Sequence, residues 1–537
     1  MIPPVRLDVD VAVVGSGFAG ALTALALQHR GQRVLLVERG RHPRFVIGES
    51  STPLANLLLE ELADRYGLPR VRPFSKWGTW QRARPDVPGG LKRGFSFYFH
   101  KPGEAFADTA AHERQLLVAA SPHDEAADVH WYRPGFDHAL VREAEAAGVR
   151  YLDQTHLERF DDTGTGVVLG GARGDAPVRI TTQFVIDATG PRGFLHQALG
   201  LHSDPLRWLP HTQGLYTHFE QVARWGHASD ERPPYPPDDA ALHHVFPGGW
   251  IWILRFNNGL TSAGAAVTDA VAARLGLGTV PHADAWDRLM ASLPSVHAQF
   301  QGARIARPWV HAPHLAFRSR EVCGRRWALL PSAAGVIDPL LSTGFPLTLL
   351  GIGRLLDVLE RTKEGAGREA ALDAYAQETR DELDVTEQLV GALYANMTDV
   401  PVFKRLGLLY FAAASYSEAA RRLGRPDLAP GFLLHRHPRF GSELRTCAAL
   451  AAGHPLQPAD RDALLARIDR AIEPFDVAGL GDRSRHDWHP VRAEDIVSSA
   501  GKLEATSAEI YTLLERCGFA VHQASTSSDA GPTRNSA

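Results

Sequence analysis

Residues 10–38 read DVAVVGSGFAGALTALALQHRGQRVLLVE, and this segment decides the fold. An apolar run at residues 9–14 predicts a buried strand, and the Gly-x-Gly-x-x-Gly pattern at residues 15–20 predicts a tight turn into a helix. A second apolar run at residues 34–37 ends in Glu38, about 20 residues beyond the glycines, where a carboxylate can accept hydrogen bonds from ribose hydroxyls. The segment therefore predicts a dinucleotide-binding site.

Each glycine of this turn has its own physical role. Gly15 permits the tight turn, Gly17 lets a pyrophosphate approach the free N–H groups at the helix N-terminus, and Gly20 lets the helix pack closely on the strand. Phe18 and Ala19 complete the first helical turn. We expect these residues to contact the cofactor.

The bulk composition is that of an ordinary globular protein. The chain has 537 residues, a net charge of −4, 44% hydrophobic residues and 22% charged residues, which argues against nucleic-acid binding. Its three cysteines, Cys323, Cys447 and Cys517, are far apart and fit a reducing compartment. Neither a secretory signal nor an apolar run of membrane-spanning length is evident, so we expect a cytoplasmic protein without a membrane span.

The chain divides into three regions. Residues 1–390 contain the dinucleotide motif and the strand-like segments, residues 391–522 are mostly helical, and the Ser/Thr/Gly-rich residues 523–537 are expected to be a disordered tail. Four histidines of the second region, His435, His437, His486 and His489, lie in Arg/Pro-rich turns without metal-binding spacing, so no metal is expected.

A polar turn at residues 48–53 precedes an amphipathic helix at about residues 54–66. Thr52 and Pro53 suit the N-cap and the first helical position. Either a simple capping turn or a flavin-facing loop formed by Gly48, Glu49 and Ser50 fits this pattern.

Two later segments have the form of a strand followed by a turn. A strand at residues 182–186 runs into Asp187 and Gly190, where the glycine allows close backbone approach. A strand at residues 327–330 is followed by small residues, Asp338, and a helix at about residues 346–361. Asp338 could accept hydrogen bonds from flavin ribityl hydroxyls, and the free N–H groups near Thr343 and Gly344 could hold a halide or a flavin carbonyl.

A lysine and two tryptophans are ambiguous when taken alone. Lys92 stands at the start of an aromatic strand at residues 95–99, and a lysine there is usually a solvated charge. Trp250 and Trp252 share one face of a strand with Leu254, which is most simply core packing.

Five stretches together resemble the flavin-dependent halogenases, and most closely the pyrrole-chlorinating halogenases of pyrrolnitrin biosynthesis. The matching stretches are HPRFVIGESSTP (42–53), ADRYGLP (63–69), LKRGFSFYFHKPG (91–103), LHHVFPGGWIWILRFNN (242–258) and GVIDPLLSTG (335–344). They spread over the first 350 residues. The Trp-x-Trp pair together with the lysine separates this resemblance from that to ordinary flavin hydroxylases.

The resemblance implies a two-dinucleotide-binding-domain FAD fold of the glutathione-reductase type, α/β, with a β-sheet substrate region and an α-helical C-terminal region. It implies that chloride or bromide is held near Ser342, Thr343 and Gly344 and is oxidised with reduced FAD and O2 to hypohalous acid. This acid would pass Trp250 and Trp252 to Lys92 and halogenate a phenol or pyrrole. The expected FAD contacts are Gly15, Gly17, Phe18, Ala19, Gly20, Glu38, Arg39, Ile47, Gly48, Glu49, Ser50, Asp187, Gly190 and Asp338.

Two partners follow from the same comparison. Only one Gly-x-Gly-x-x-Gly motif is present, so the reduced FAD is expected to come from a separate flavin reductase. The aromatic substrate could be a free small molecule or a group tethered to a carrier protein.

The chain departs from the family pattern at two places. Leu254-Arg255 replaces an Ile-Pro pair after the tryptophans, which puts the end of that strand in doubt. Leu341 stands where tryptophan halogenases carry a glutamate, which favours an electron-rich ring that needs little activation. Glu49 and His100 are candidates for another base.

Two alternative functions follow from the same residues. An FAD-dependent aromatic hydroxylase would transfer oxygen directly to the ring and be reduced in place by NAD(P)H. A flavin-binding protein without catalytic activity would form only peroxide.

Overall fold

The computed structural model describes residues 5–226, 232–453 and 455–519, so the tail expected at residues 523–537 lies outside the described residues. The strands are β1 (Val5–Asp8), β2 (Val11–Val14), β3 (Val34–Val37), β4 (Gly89–Lys92), β5 (Gly94–Phe99), β6 (Gln115–Ala119), β7 (Asp128–Trp131), β8 (Arg150–Leu152), β9 (Thr155–Asp162), β10 (Val167–Arg173), β11 (Ala176–Thr182), β12 (Phe184–Asp187), β13 (Thr212–Glu220), β14 (Ala241–Phe246), β15 (Gly249–Arg255), β16 (Leu260–Thr268), β17 (Arg304–Ile305), β18 (Val310–Ala312), β19 (Phe317–Arg318), β20 (Cys323–Gly324), β21 (Trp327–Leu329), β22 (Gly335–Val336) and β23 (Trp488–His489).

The helices are α1 (Phe18–His29), α2 (Pro53–Tyr66), α3 (Trp77–Ala83), α4 (Arg133–Ala146), α5 (Phe194–Ala198), α6 (Asp269–Leu275), α7 (His282–Ala291), α8 (Pro294–Phe300), α9 (Pro331–Ala334), α10 (Gly344–Arg361), α11 (Ala366–Ala395), α12 (Val400–Arg422), α13 (Phe440–Ala452), α14 (Pro458–Ile472), α15 (Ala493–Ser498) and α16 (Ser507–Arg516). Across the described ranges, none of these helices has the length and apolar character needed to cross a bilayer.

The segment that opens the sequence forms a parallel β–α–β unit. The sheet order is β20-β21-β12-β2-β3-β8, in which β2 pairs with β3 and β12 in parallel and β20 alone runs antiparallel to its neighbour. Every residue of β2 and β3 is buried because helices cover both faces of such a sheet. The predicted strand, turn, helix and second strand are all present.

The strand predicted at residues 182–186 is divided between two sheets. β11 ends at Thr182 in a four-stranded sheet with the order β1-β11-β10-β9, and β12 starts at Phe184 in the parallel sheet. The Thr182 hydroxyl and the Phe184 amide both donate to the Asp10 carbonyl, which fixes the corner between the sheets. An apolar run cannot reveal such a corner, because both halves are equally buried.

A large sheet with the order β17-β13-β16-β15-β14-β5-β6-β23, to which β18 adds beside β13, separates two hydrophobic cores. Along β15 the side chains of Trp250, Trp252 and Leu254 belong to the main core, whereas Ile251 and Ile253 belong to a smaller core on the opposite face. The alternation predicted from the sequence is therefore confirmed.

The C-terminal half is helical and packs on the first half. Helix α11 spans Ala366–Ala395, so residue 390 lies within it. Tyr394 of α11 and Tyr410 of α12 both form hydrogen bonds with the segment that precedes α10. The helices thereby hold the turn at residues 338–343 in place.

Candidate active site

The glycine turn is shaped by close backbone contacts. Gly15 has a φ of +97°, and a Cβ there would lie 2.6 Å from the carbonyl oxygen of Ala188. A Cβ at Gly20 would lie 1.8 Å from the carbonyl oxygen of Gly15. Side chains are therefore excluded at both positions, and the turn that follows Asp187 lies directly beside the N-terminus of α1.

Glu38 faces this turn as a fixed carboxylate. Its Oε2 accepts hydrogen bonds from the amide and hydroxyl of Ser16 at 3.0 and 2.9 Å, and its Oε1 accepts one from the Gly40 amide at 2.8 Å. Burial opposes ionisation, but the charge of Arg44 and these hydrogen bonds together lower the pKa of Glu38. Arg39, the next residue, is exposed.

Two arginines that the sequence analysis missed lie at the N-terminus of α1. A Cβ at Gly17 would lie 3.4 Å from Nη2 of Arg44 and 3.5 Å from Nη2 of Arg133. Arg133 also donates to the Gly48 carbonyl at 2.9 Å and to both carboxylate oxygens of Asp137. Guanidinium groups beside a helix N-terminus suit a phosphate.

A cavity of about 420 Å³, named here the first cavity, brings together four of the predicted segments. The predicted residues that line it are Phe18, Ile47, Gly48, Glu49, Ser50, Trp250, Trp252, Asp338, Ser342, Thr343 and Gly344. The turn at residues 48–53 therefore both faces a cavity and caps α2, where the Thr52 hydroxyl accepts from the Ala55 amide. The other predicted FAD contacts lie outside the lining of this cavity. Gly15, Gly17, Ala19 and Gly20 lie in the glycine turn, Glu38 and Arg39 directly follow β3, and Asp187 and Gly190 lie in the turn at the end of β12.

A hydrogen-bond chain joins two of the predicted residues through a third that was not predicted. Trp250 Nε1 donates to the Tyr394 hydroxyl at 3.1 Å, and this hydroxyl donates to Asp338 Oδ2 at 2.9 Å. Burial raises the pKa of Asp338 to about 7, although hydrogen bonds from the Leu340 amide and from Tyr394 oppose the rise. Asp338 can therefore hold a proton near neutral pH at the wall of the first cavity.

Asp187 serves a different purpose from Asp338. It is buried and accepts hydrogen bonds from the Thr189 amide, the Thr189 hydroxyl and the Leu195 amide. These bonds hold the turn that contains Gly190, which has a φ of +85°. Asp187 thus shapes the backbone beside Gly15.

The predicted halide segment lies at the start of α10. Ser342 adopts the left-handed region with a φ of +54°, and Thr343 precedes the first residue of this 18-residue helix. The free N–H groups of the first helical turn favour an anion in the adjoining first cavity. Leu341, fully buried, places no carboxylate here.

Lys92 is completely buried at the end of β4. This strand pairs with β7 in antiparallel register, so Lys92 stands opposite Asp128. Its ammonium group donates a short hydrogen bond to the carbonyl of Ser51 and lies 3.8 Å from the centre of the Phe95 ring. Burial lowers the pKa of Lys92 to about 7.

A second cavity of about 160 Å³ lies between the start of α2 and the C-terminal helices. Its walls are largely apolar, and they include Thr52, Asn56, Phe95, Asp128, Tyr410, Phe411, Glu418 and Arg422. A volume of this size suits a small aromatic ring.

Lys92 lies in the partition between the two cavities. Ser50 lines the first cavity, Thr52 lines the second, and the Ser51 carbonyl between them accepts the Lys92 hydrogen bond. The partition is thin at another point, where the ring of His243 in the first cavity stacks on Phe95 at 5.9 Å with planes 12° apart.

Several buried polar atoms around this partition have no hydrogen-bond partner in the described part of the protein. They include Ser50 Oγ, Asn56 Oδ1, Asp128 Oδ2, His130 Nδ1 and His243 Nδ1. Burial lowers the pKa of both histidines and keeps their rings neutral. Unpaired polar atoms in a buried region are suited to bind water or another small polar molecule.

The two other predicted base candidates are already partnered. Glu49 Oε1 lies 3.0 Å from His218 Nε2, and His100 Nε2 lies 2.9 Å from His244 Nδ1. His100 packs against Phe106, beside the smaller core of the large sheet. Asp128, which was not predicted, stands closer in the sheet to Lys92 than either.

The departure at Leu254-Arg255 leaves the strand intact. β15 continues through Arg255, whose side chain donates to the buried Asp238 at 2.6 Å and to the carbonyls of Val222 and Ala223. The ion pair anchors the end of the strand to the segment that contains Asp238.

One group of possible metal ligands occurs among the described residues, formed by Glu378, Glu382 and His435. Arg354 forms a bidentate pair with Glu382, and Arg436 lies 3.4 Å from Glu378. The two arginines already neutralise the carboxylates, so the group does not fit a cation.

Comparison with known proteins places the chain among flavoproteins. The family described as FAD dependent oxidoreductase matches residues 10–337. The monodechloroaminopyrrolnitrin halogenase PrnC of Pseudomonas fluorescens is 31% identical over 73% of this chain and 68% of that protein. The tetracycline 7-halogenase of Kitasatospora aureofaciens is 29% identical over 75% of this chain and 73% of that protein.

Among solved structures, halogenase PltM in complex with phloroglucinol and FAD superimposes with a TM-score of 0.79. The match covers 89% of this chain and 99% of that chain at 24% identity, which concerns the fold alone. The FAD fold predicted from the sequence is confirmed by these matches.

Proposed function

Because the chain belongs to the flavin-dependent halogenases, which are FAD-dependent enzymes, we propose that it halogenates an electron-rich phenol or pyrrole at Lys92. The observation that carries the proposal is the position of Lys92, buried between a cavity formed by the predicted cofactor and halide segments and a second, mostly apolar cavity.

The glycine turn and the first cavity beside it fit FAD. Gly15 and Gly17 leave room for a pyrophosphate beside α1, Arg44 and Arg133 supply positive charge, and Glu38 presents a carboxylate for the ribose. When bound, reduced FAD supplies with O2 the oxidation that converts chloride or bromide to hypohalous acid. We assign the flavin ring to the space beside Trp250 and Asp338, and the halide to the backbone of Ser342, Thr343 and Gly344.

The residues of the partition are proposed to guide the oxidant from the first cavity toward Lys92. Trp250, Trp252 and His243 line the first cavity on the side of Phe95, and the unpaired ring nitrogen of His243 can hydrogen-bond a small polar molecule. Lys92 lies against the Phe95 ring, and the Ser51 carbonyl fixes its amine. An ammonium group there hydrogen-bonds and polarises hypohalous acid, and a neutral amine can be halogenated. The flavin and the aromatic ring are kept apart, so oxygen is not passed to the ring directly.

The substrate is proposed to occupy the second cavity. Phe95, Tyr410 and Phe411 offer aromatic and apolar contacts to a single ring. Because Leu341 supplies no carboxylate, an electron-rich ring is favoured, and PltM, whose structure contains the phenol phloroglucinol, offers a precedent within the same fold. A separate flavin reductase is proposed to supply the reduced FAD, since the sequence has one dinucleotide motif.

The test is a product assay with the FAD-loaded protein, a separate flavin reductase, and chloride, bromide or no halide. Free phenols and pyrroles are compared with the same rings tethered to a carrier protein. We expect a halogenated product that requires halide. Hydroxylated product formed without halide would instead identify a hydroxylase, and peroxide alone would identify a flavin-binding protein without this activity.

A further inference from the structure

Asp128 combines a fixed position with one free oxygen. Its Oδ1 accepts a hydrogen bond from Asn56 Nδ2 at 2.8 Å, which orients the carboxylate. Its Oδ2 has no partner among the described residues, although the residue is only 6% exposed. Asp128 lines the second cavity, so its free oxygen lies beside the space that a bound molecule would occupy. A buried oxygen of this kind points to a ligand that donates a hydrogen bond.

The surrounding charges distinguish Asp128 from the other carboxylate in this cavity. Glu418 of α12 accepts a hydrogen bond from Arg422 Nε at 2.8 Å, so its charge is already compensated. Asp128 lies opposite Lys92 in the β4–β7 ladder, and the charges of Glu418 and Arg422 also act on it. Lys76 also lines the cavity. Within the described cavity wall, Asp128 is therefore the carboxylate without an arginine partner.

We propose that Asp128 is a catalytic base that takes the hydroxyl proton of a phenol bound in the second cavity. This inference rests on the proposed function and specifies how its substrate is activated. It also favours a substrate whose ring bears an O–H group over one that lacks an acidic proton.

The step balances without a further reactant. The phenol O–H bond breaks and its proton moves to Asp128 Oδ2, which leaves a phenolate. The ring carbon then attacks the halogen of hypohalous acid held at Lys92, so a carbon–halogen bond forms while the oxygen–halogen bond breaks and hydroxide leaves. Hydroxide removes the ring proton as water, and the halogenated phenolate regains a proton from Asp128.

The location of the carboxylate suits this step. Lys92 and Asp128 are direct neighbours across the β4–β7 ladder, so an oxidant held at Lys92 and the base lie next to each other. Burial raises the pKa of Asp128 to about 7, which brings its basicity closer to that of a phenolate, whose usual pKa is about 10.

The experiment compares Asp128→Asn with wild type and with Glu418→Gln, which changes the paired carboxylate of the same cavity. Halogenation of one phenol is measured from pH 6 to pH 9, alongside FAD content and halide-dependent hypohalous acid trapped in solution. At pH 7 we expect Asp128→Asn to lose at least about 10²-fold in kcat/KM and still to form hypohalous acid.

The pH profile of halogenation distinguishes a catalytic base from a residue with only a structural role. In wild type the rate should rise to about pH 7, where Asp128 and the neighbouring Lys92 both titrate, and then level off. In Asp128→Asn it should keep rising about tenfold per pH unit, because only ionised phenol reacts. Glu418→Gln should still level off, at a lower pH, because the Glu418 charge helps to raise the pKa of Asp128. An Asp128→Asn protein that folds, binds FAD and shows the wild-type rate and profile would overturn the proposal.

If Asp128→Asn lost FAD or failed to fold, Asp128→Glu would serve instead, because it retains the base and should restore a profile that levels off. A glutamate variant whose rate still rises to pH 9 would contradict the role. Halogenation of pyrroles but of no phenol would also contradict the role of Asp128, whereas absence of halogenation by wild type on every phenol and pyrrole would contradict the proposed function, so the two failures are distinguishable.

Discussion

The ammonium nitrogen of Lys92 lies 3.8 Å from the centre of the Phe95 ring, and both residues are buried. The face of an aromatic ring stabilises a nearby cation by about 0.5–2 kcal/mol, whereas burial disfavours the charge. Burial outweighs the opposing charge of Asp128 and lowers the pKa of Lys92 to about 7, so the amine can be charged or neutral near neutral pH. Both forms are useful in the proposed transfer of halogen.

Replacing Lys92 by methionine should abolish halogenation while sparing the flavin. The substitution keeps a long unbranched side chain and removes the amine, so the expected loss is at least about 10²-fold in product formation with FAD binding and O2 consumption retained. Halogenated product and oxygen uptake are measured in parallel. Lys101→Met, at an exposed lysine shortly after β5, is the matched control. Lys92 would have no part in the mechanism if Lys92→Met made product at the wild-type rate.

Gly15→Ala should prevent FAD binding, whereas Gly31→Ala should not. Both glycines have a positive φ, +97° and +80°, but only at Gly15 would the new Cβ meet the Ala188 carbonyl. Gly31→Ala therefore measures backbone strain alone, about 1–2 kcal/mol of unfolding free energy. Flavin absorbance after gel filtration reports binding, and thermal melting reports stability. Equal flavin content in the two variants would argue against the assigned pyrophosphate site.

Asp338 should make the FAD-free protein less stable as pH rises from about 4 to 7. The folded-state pKa, about 7, lies above the usual 3.8, so over this interval the folded protein retains a proton that the unfolded chain releases. The free energy of unfolding relative to Asp338→Asn should fall by up to about 4 kcal/mol across the interval. Melting temperatures of both proteins at several pH values provide the measurement. A constant difference between them would place the pKa of Asp338 near its ordinary value.

Tyr394→Phe should destabilise the protein more than Tyr410→Phe. Tyr394 donates to the buried Asp338 and accepts from Trp250, whereas Tyr410 donates to the neutral carbonyl of Leu341. The expected costs are about 2–3 kcal/mol and about 1 kcal/mol. Denaturant unfolding of the two variants tests this order, and a reversed order would mean that the Trp250–Tyr394–Asp338 chain contributes little.

Features set by neighbouring residues were predictable from the sequence. Thr52 and Pro53 place the start of α2 because capping depends on local backbone geometry. Alternation along β15 placed Trp250 and Trp252 on one face because a strand has a period of two.

Features set by long-range pairing were not predictable. Asp128 meets Lys92 only through the register of β4 and β7, and Tyr394 reaches Trp250 across 144 residues of sequence. Arg133 is the first residue of α4, and nothing local indicates that it turns toward Gly17. The corner at Thr182 was missed for a related reason, since both of its arms are apolar strands.

The acceptor that fixes Lys92 is a main-chain oxygen, so no exchange of side chain at position 51 can delete it. Over evolutionary time this residue could drift among small types, provided that the backbone path between Ser50 and Thr52 survives. A homologue with a different amino acid at this place would therefore keep its amine anchored. The shared contact would be recognisable from the backbone path of the structure and not from the residue type in the sequence.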